Sequence, residues 1–427
     1  MKIEEIYQCY LQCTSVNTDT RKIENNSLFI ALKGENFDAN TFAEEAISKG
    51  ALFVIIDDKK YYTNKDKMIL VANSLQTLQE LAKYHRQQLG LPIIALTGSN
   101  GKTTTKELIH VVLSKKYNTK ATVGNLNNHI GVPLTLLSFN EDTDIGIVEM
   151  GANHQKEIEL LCSITEPDFG YITNFGKAHL EGFGGIEGVI KGKSELYHYL
   201  EVNKKTAFIN LDDEIQNKKT IQITRYSFSQ TEESDFTVDS VTANPMVTIN
   251  YNQIEIQSHL IGLYNANNIN AAITIGKYFN ITDNDIKEAI ENYIPTNNRS
   301  QLIEKNSNHI ILDAYNANPS SMTAAIANFI QLQRKEKIAV LGDMFELGNE
   351  SLAEHKKIIE LLVNEPEIET YFIGKDFYSN KINKKNTHFF DTYELFFENF
   401  KTKKPREKTI LIKGSRGMSL ERTLEML

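Results

Sequence analysis

The stretch LPIIALTGSNGKTTTKELIHVVL, residues 91 to 113, constrains the possible fold of this chain more than any other segment. An apolar run stops there at a glycine-rich turn, and Lys102, Thr103 and Thr104 then open a segment with helical character. Backbone N–H groups at such a turn, followed by a helix N-terminus, form a pocket for phosphate oxygens. We therefore predict a nucleotide-binding loop between a strand and a helix, formed by Gly98, Ser99, Asn100, Gly101, Lys102, Thr103 and Thr104.

The chemistry of this loop follows from its side chains. Lys102 would reach the β- and γ-phosphates of a nucleotide, and a threonine hydroxyl would bind Mg²⁺. The spacing differs from the standard G-x-x-x-x-G-K-[ST], because Leu96 stands where the first glycine belongs. A bare GKT is a weak signal, but the strand before it and the helix after it favour nucleotide binding over a coincidental turn.

A length of 427 residues predicts about three domains. In the first, the runs SLFIALKG, ALFVIID and MILVAN indicate short strands, and SLQTLQELAKYHRQQLG indicates a helix that stops at Gly90. We place this domain at residues 1–89, a central domain at 90–296 and a third domain at 297–427. Pro295 and the TNNRS segment after it are expected to act as a hinge.

The two larger domains are predicted to have parallel sheets. In the central domain, strand-like and helical segments alternate, which predicts a P-loop ATPase-like parallel sheet covered on both faces. Between residues 220 and 262 the pattern changes to alternation, which indicates a small antiparallel patch. In the third domain, IILDAY, IAVLGDM, TYFIG and TILIKG each precede a helical segment and predict a Rossmann-like sheet. The predicted class is therefore α/β, with a small N-terminal α/β domain for a substrate.

Charge and apolar patterning exclude several classes of partner. The net charge of −9 argues against a nucleic-acid or anionic-membrane partner. No apolar run approaches the ~18 residues of a membrane span, and MKIEEIYQCY has acidic residues where a signal peptide needs an apolar core. The cysteines Cys9, Cys13 and Cys162 have no metal-binding spacing, so we expect them to pack in the core of a protein from a reducing compartment. We expect a cytoplasmic location.

Several separated motifs carry a resemblance to one family. TGSNGKTTT resembles the ATP loop of the Mur ligases, which build the peptide stem of the bacterial cell wall. Further similar motifs follow in the family's order: EMG, TNFGKAHLEGFG, KGKSELY, YNANNINAA, LDAYNANPSSM, LGDMFELG with His355, and LIKGSRGM. The last three most resemble the member that adds D-alanyl-D-alanine. Their agreement in one order is strong evidence, although no single motif would be.

This resemblance implies an ATP-dependent ligase. ATP would convert the terminal carboxylate of UDP-N-acetylmuramoyl-tripeptide into an acyl phosphate, which the amine of D-Ala-D-Ala attacks. The products would be UDP-muramoyl-pentapeptide, ADP and phosphate, for peptidoglycan synthesis. Positioning and charge neutralisation are the main tasks of the protein in such a reaction. We expect a monomer that neither binds nucleic acid nor inserts stably into a membrane.

The resemblance also assigns two magnesium ions to the central domain. Glu149, at the end of a strand, and Thr103 or Thr104 would hold the first ion, since Mg²⁺ prefers hard oxygen ligands. His179 would belong to the second site, although a histidine in isolation is more often structural or on the surface. Lys193 matches a lysine that is carbamylated in the family, and the likeness of KSELY to the family's K-G-E-L/I-F favours it over Lys191. In isolation, Lys193 would be a solvated helix residue.

Other assignments concern the ATP and the two substrates. Asn268 would contact adenine, because an amide offers both a donor and an acceptor. Arg299 resembles an arginine that reaches an ATP phosphate from the hinge, and Asp313 could accept ribose hydroxyls. The remaining matches are Lys413 and Arg416 as candidates for holding the acyl phosphate or a substrate carboxylate, Tyr315 and Asn316 for substrate, and Thr20, Arg21 and Ser27 for the uridine diphosphate part. The chain reads FDAN at residues 37–40 where the family commonly shows F-D-G-H.

Three other functions compete with this interpretation. A sister ligase would add a single amino acid, but those carry a D-Y-A-H-T-P-like element where this chain has DAYNANPSSM. A folylpolyglutamate synthase relative would not need TDTR and ALKGENFDAN, which resemble contacts to a UDP-muramoyl ligand. A non-catalytic nucleotide switch would not need the second metal site. No motif indicates whether the tripeptide ends in diaminopimelate or lysine.

Overall fold

The first predicted domain contains a four-stranded parallel sheet in the computed structural model, which describes residues 1–295, 299–334 and 336–427. The strand order is β1-β2-β5-β6, and a short antiparallel hairpin, β3-β4, lies beside the sheet. The elements are β1 Val16–Asn17, β2 Leu28–Ile30, β3 Lys33–Gly34, β4 Phe37–Asp38, β5 Phe53–Ile56 and β6 Met68–Leu70, with α1 Ile3–Tyr10, α2 Ala43–Ser48 and α3 Ser74–Leu89. The three predicted strands and the long helix are confirmed, with Gly90 in the left-handed conformation that ends α3.

The central sheet has seven parallel strands in the order β13-β12-β11-β10-β7-β9-β8. Its strands are β7 Ile93–Thr97, β8 Thr119–Ala121, β9 Ile145–Glu149, β10 Phe169–Ile172, β11 Thr206–Asn210, β12 Thr224–Ser229 and β13 Phe236–Thr237. Along β7, Ile93 packs into one hydrophobic core and Ile94 into another. The predicted parallel sheet, buried on both faces, is therefore confirmed.

Nine helices of the described central region surround that sheet. They are α4 Lys102–Leu113, α5 Gly131–Leu136, α6 Glu157–Thr165, α7 Leu180–Phe183, α8 Ile186–Lys193, α9 Glu195–Val202, α10 Glu214–Lys219, α11 Ala266–Tyr278 and α12 Asp283–Glu291. Helix α4 begins at Lys102, as the sequence predicts, so the loop opens onto its N-terminus. Helices α4 and α11 pack together and bring the NANNINAA segment beneath the loop.

The antiparallel patch is smaller than the sequence pattern indicates. It consists of β14 Ser240–Ala243, β15 Met246–Tyr251 and β16 Ile254–Ile261. The expected start near residue 220 is wrong, because β12 and β13 extend the parallel sheet by pairing with β11 and with each other. Alternating apolar and polar residues indicate that one face of a strand is exposed. They do not indicate whether that strand pairs with its neighbour in parallel or antiparallel.

The third domain has a six-stranded sheet in the order β17-β18-β22-β19-β20-β21. Its strands are β17 Gln301–Lys305, β18 Asn308–Asp313, β19 Lys337–Gly342, β20 Ile368–Ile373, β21 Thr387–Phe390 and β22 Thr409–Lys413, and its helices are α13 Pro319–Gln331, α14 Ser351–Val363, α15 Lys375–Ser379 and α16 Tyr393–Phe400. The four predicted strands are parallel neighbours, which confirms the Rossmann-like sheet. The sequence pattern indicates neither edge strand, the antiparallel β17 nor the parallel β21.

The predicted domain limits remain expectations. The first falls between α3 and β7, but α3 is anchored to the central domain, since Arg86 donates to the carbonyls of Thr165 and Glu166 and pairs with Asp168 at 2.8 Å. The second limit, between residues 296 and 297, lies outside the described residues, as does part of the predicted hinge. Within the described ranges, no helix is both long and apolar enough to span a bilayer.

Candidate active site

A cavity of about 670 Å³ lies between the central and third domains. The carboxyl ends of β7, β9 and β10 form one wall, and the end of β18 with the start of α13 forms the other. Parallel strands place their carboxyl ends at one edge of a sheet, which is where open α/β sheets bind ligands. The structure brings many of the sequence-predicted residues to this cavity: Ser99, Asn100, Gly101, Lys102, Thr103, Thr104, Glu149, His179, Asn268, Arg299, Asp313, Tyr315, Asn316 and Lys413.

The phosphate loop is held by the strand beside it. Thr173 Oγ1 donates to the Asn100 carbonyl at 2.6 Å, and the Asn174 amide pairs with both the N–H and the C=O of Asn100. A Cβ on Gly98, whose φ is +143°, would lie 1.9 Å from Thr173 Oγ1, so only glycine permits this approach. The conformation of the loop is therefore stabilised by contacts with residues 73 and 74 positions away in sequence.

Lys102 lies folded over its own loop. Its Nζ donates to the Gly98 carbonyl at 2.7 Å, and the residue lines the cavity. Burial lowers the pKa of Lys102, the Glu149 carboxylate raises it and the Arg299 charge lowers it, with a net downward shift. Its Nζ also lies 3.4 Å from the Ser99 carbonyl. An ammonium whose acceptors are carbonyls of its own loop is available to a phosphate that enters the loop.

Glu149 presents a free carboxylate oxygen to this region. The residue is buried, and its Oε1 accepts a hydrogen bond from Asn127 Nδ2 at 2.8 Å. Its Oε2 has no hydrogen-bond partner among the described residues. A buried, unsatisfied carboxylate oxygen is costly unless a cation or donor joins it. Together with the Thr103 and Thr104 side chains on the same cavity, this chemistry fits a hard divalent cation.

Lys193 is the last residue of α8 and is only 1% exposed, so it is not the solvated helix residue that the sequence alone suggests. Its Nζ donates to the Ala152 carbonyl at 3.1 Å and lies 5.2 Å from the Phe183 ring centre. Its Nζ forms no ion pair in the described ranges, although the charges of Glu157 and Glu195 act on it. Burial, followed by the charge on Lys102, holds the pKa of Lys193 well below its usual value. Lys193 does not itself line the cavity, but Ala152 does.

His179 lies where the two domains touch. Its backbone is left-handed, with φ of 52°, and its Nδ1 contacts the carboxylate of Glu346 in the third domain. This contact lowers the pKa of Glu346. A second pair crosses the same interface, since Lys177 Nζ lies 2.7 Å from the buried carboxylate of Glu354.

The third-domain wall is rich in paired charges. Lys413 is 2% exposed and forms an ion pair with Asp313, whose Oδ1 also accepts the Ser300 N–H at 3.2 Å. The Arg299 guanidinium stacks 3.6 Å from the centre of the Tyr315 ring. Arg299 would thus offer planar hydrogen-bond donors to a ligand phosphate. Lys413 would offer less net charge, because Asp313 already neutralises it.

Asn268 lies beneath the loop rather than at an open edge. Its Oδ1 accepts from Thr105 at 3.0 Å and its Nδ2 donates to Asn265 at 2.8 Å. A Cβ on Gly101 would lie 2.5 Å from Asn268 Oδ1. One amide hydrogen is therefore left for a base, and the adenine contact stays a prediction.

The structure does not bring every predicted residue to the cavity. Arg416 begins a 3₁₀ turn after β22, and its side chain is 60% exposed and pairs with Glu421 at 2.9 Å. In the first domain, Arg21 is 85% exposed and pairs with Asp19, while Ser27 is fully buried. Thr20, Arg21 and Ser27 contribute nothing to the wall of this cavity.

A buried cluster in the third domain contains Asp343, His355 and Asp376. Both Asp343 oxygens accept backbone N–H groups at the start of α15, at 3.0 Å each. His355 Nε2 accepts the Met344 N–H, and its Nδ1 lies 2.7 Å from the Ser351 carbonyl. The side-chain atoms of Asp343 and His355 are therefore already used in hydrogen bonds to the backbone. The LGDMFELG motif and His355 thus stabilise the local backbone.

Sequence reasoning missed the residues that brace the loop. The sequence motifs contain Thr173 and Asn174 without indicating their roles, and they do not include Asn127, which donates to Glu149. Their position just after β10 or before α5 was visible in the pattern, since polar residues at the carboxyl ends of neighbouring parallel strands meet at one edge.

The fold and cavity define a three-domain nucleotide-binding enzyme. Three family descriptions match the chain: "Mur ligase family, catalytic domain" at residues 12–86, "Mur ligase middle domain" at 96–276 and "Mur ligase, glutamate ligase domain" at 298–416. The chain belongs to the Mur ligase family, as the sequence motifs predicted.

Within the family, the similarity points to one member. The chain is 36% identical over 434 residues to the UDP-N-acetylmuramoyl-tripeptide–D-alanyl-D-alanine ligase of Bacillus subtilis, covering 96% of this chain and 92% of that one. A crystal structure of MurF from Acinetobacter baumannii superposes with a TM-score of 0.86 at 30% identity, covering 99% and 97% of the two chains. MurF from Thermotoga maritima, solved in complex with ADP, gives 0.85 at 26% identity, covering 98% and 97%.

Proposed function

We propose that this chain joins D-Ala-D-Ala to UDP-N-acetylmuramoyl-tripeptide while ATP is converted to ADP and phosphate. The observation that carries the proposal is the cavity itself, in which a phosphate loop and a free Glu149 oxygen face Arg299 and Asp313 of another domain. The relatives named above support this choice of substrates over a single amino acid or folate.

The reaction proceeds in two steps. An oxygen of the tripeptide carboxylate attacks the γ-phosphorus of ATP, ADP leaves, and an acyl phosphate forms. The amine nitrogen of D-Ala-D-Ala then attacks the acyl carbon, and the tetrahedral intermediate expels phosphate and loses a proton to give the amide. Neither step needs a nucleophile from the protein, so positioning and charge neutralisation account for catalysis.

The chain's residues divide these tasks. The loop N–H groups and Lys102 hold the β- and γ-phosphates, and Arg299 approaches from the other domain. Asn268 faces the base, Asp313 the ribose, and Lys413, Tyr315 and Asn316 the acyl group and its substrate. Thr20, Arg21 and Ser27 are proposed to bind the uridine diphosphate end. Arg416 reaches the acyl phosphate only if its turn rearranges.

Magnesium is proposed at two positions. Glu149 Oε2 and Thr103 Oγ1 would hold one ion, and His179 with Lys193 the other. When bound, the ions neutralise phosphate charge. The proposed role of Lys193 as a magnesium ligand requires carbamylation. In this reaction the neutral amine nitrogen bonds to the carbon of CO₂ and releases a proton. Lys193 is buried and forms no ion pair in the described ranges, and burial holds its pKa well below the usual value. Both features favour the neutral amine that this step needs.

The cellular setting is part of the same proposal. A monomer acting in the cytoplasm would supply a precursor for peptidoglycan, so its loss would affect cell shape and division.

The choice of amine can be measured directly. With ATP, magnesium and UDP-muramoyl tripeptide present, we expect D-Ala-D-Ala to stimulate phosphate release and to add the mass of one dipeptide to the nucleotide. Lysine, diaminopimelate or glutamate alone should not. Product formation with a single amino acid but not with the dipeptide would indicate a sister ligase. Tripeptides ending in lysine and in diaminopimelate, supplied in parallel, would identify the third stem residue.

A further inference from the structure

One side chain joins the phosphate loop directly to the third domain. Asn318 Nδ2 donates to Asn100 Oδ1 at 2.7 Å, across 218 residues of sequence. Asn318 is 8% exposed, so solvent does not compete strongly for this bond. The two side chains belong to different domains, and each lies on the wall of the cavity.

The same asparagine begins a helix. Its Oδ1 accepts the Ser321 N–H at 2.9 Å and caps α13, and Ser321 Oγ accepts the Asn318 N–H in return. The carboxamide therefore has two separable functions, because the oxygen caps the helix and the nitrogen reaches the other domain. A serine would retain the first function and lack the reach for the second.

The contact is part of a close approach between the two domains. The Lys177 N–H donates to Ser320 Oγ at 2.9 Å, two residues after Asn318. A Cβ on Gly176 would lie 2.9 Å from Asn100 Nδ2 and 3.1 Å from Ser320 Cβ. On the other side, the Asn100 backbone is held by Thr173 and Asn174. Asn100 is therefore fixed as a docking point for the third domain.

We propose that Asn318 is a positioning residue that couples nucleotide occupancy of the loop to docking of the third domain. The third domain supplies the Arg299, Asp313 and Lys413 wall of the nucleotide site, so undocking it removes part of that site. By reciprocity, a nucleotide that bridges the two walls strengthens docking, and docking strengthens nucleotide binding by the same factor. This inference rests on the nucleotide site of the proposed function, although not on the identity of the amine.

The test is a double-mutant cycle on ADP affinity, made with Asn318→Ser and Asn100→Ala. We expect each single variant to bind ADP about 2- to 10-fold more weakly, the range for one hydrogen bond, and the double variant to be no weaker than the weaker single variant. We also expect the ADP-bound radius of gyration of Asn318→Ser to exceed that of the wild type. The control is Asn73→Ser, the same change at the cap of α3, where the Nδ2 donates to no group in the described ranges. It should leave ADP affinity unchanged.

Two outcomes would overturn the proposal: additive effects in the double variant, or wild-type ADP affinity in Asn318→Ser together with a lower melting temperature, which would make Asn318 a helix cap alone. If Asn318→Ser does not fold, Asn318→Gly provides a second good cap without the donor. If the wild-type protein binds ADP but makes no pentapeptide, the proposed function is contradicted. The double-mutant cycle on ADP affinity still tests the role of Asn318 in that case.

Discussion

Lys193→Ala is expected to lower turnover by roughly 10²-fold or more, by analogy with the loss of other groups that neutralise transition-state charge. Lys193 Nζ donates to the Ala152 carbonyl and forms no ion pair in the described ranges. A buried cation so placed would repel both Lys102 and a magnesium ion, whereas its carbamate would attract them. If Lys193 is carbamylated as proposed, the change removes an anionic oxygen ligand rather than a simple cation.

The matched control for this variant is Lys191→Ala, two residues earlier on α8 and exposed to solvent. It should keep near wild-type turnover. Turnover of the wild type should also fall when CO₂ and bicarbonate are removed and recover when bicarbonate is returned. Near-normal activity of Lys193→Ala, with no dependence on CO₂ in the wild type, would eliminate the carbamate.

Lys102→Ala should lower turnover by about 10²- to 10³-fold and should also weaken ADP binding. Its ammonium donates to the Gly98 carbonyl of the loop and lies within the field of Glu149, and we propose that it binds the β- and γ-phosphates. Alanine leaves the loop N–H groups and the helix N-terminus in place, so some nucleotide affinity remains.

This second prediction is checked by steady-state kinetics and by ADP titration calorimetry. The control is Lys116→Ala, which changes the same residue type in the exposed turn after α4, at the far end of the helix from the loop. It should leave both turnover and ADP affinity unchanged. Unchanged ADP affinity and turnover in Lys102→Ala would mean that the loop does not hold the nucleotide.

Local features of the site could be predicted from the sequence. The turn between β7 and α4 depends on glycines and a helix start within ten residues, so the loop and the first residue of α4 were identified correctly. The family motifs also predict Glu149, His179 and Asn268 as site residues, and all three line the cavity. This is possible because these residues follow strands or lie near helix starts in a fixed order along the chain.

The interactions between distant segments could not be predicted in the same way. Burial of Lys193 depends on where α8 packs, and a helical pattern with a lysine in its last turn suggests a solvated residue. Arg416 follows the correct strand, but the 3₁₀ turn directs its side chain to Glu421. The bond between Asn100 and Asn318 joins residues whose proximity depends on how two domains dock. The presence of two asparagines in the sequence does not indicate that their side chains form a hydrogen bond.

The most direct test of the central claim follows the oxygen atoms of the substrate. UDP-muramoyl tripeptide labelled with ¹⁸O in its terminal carboxylate is incubated with ATP, magnesium and D-Ala-D-Ala, and the released phosphate is analysed by mass spectrometry. If ATP activates the carboxylate as an acyl phosphate, each phosphate carries one ¹⁸O and each new amide retains the other. Unlabelled phosphate accompanying pentapeptide formation would contradict the mechanism.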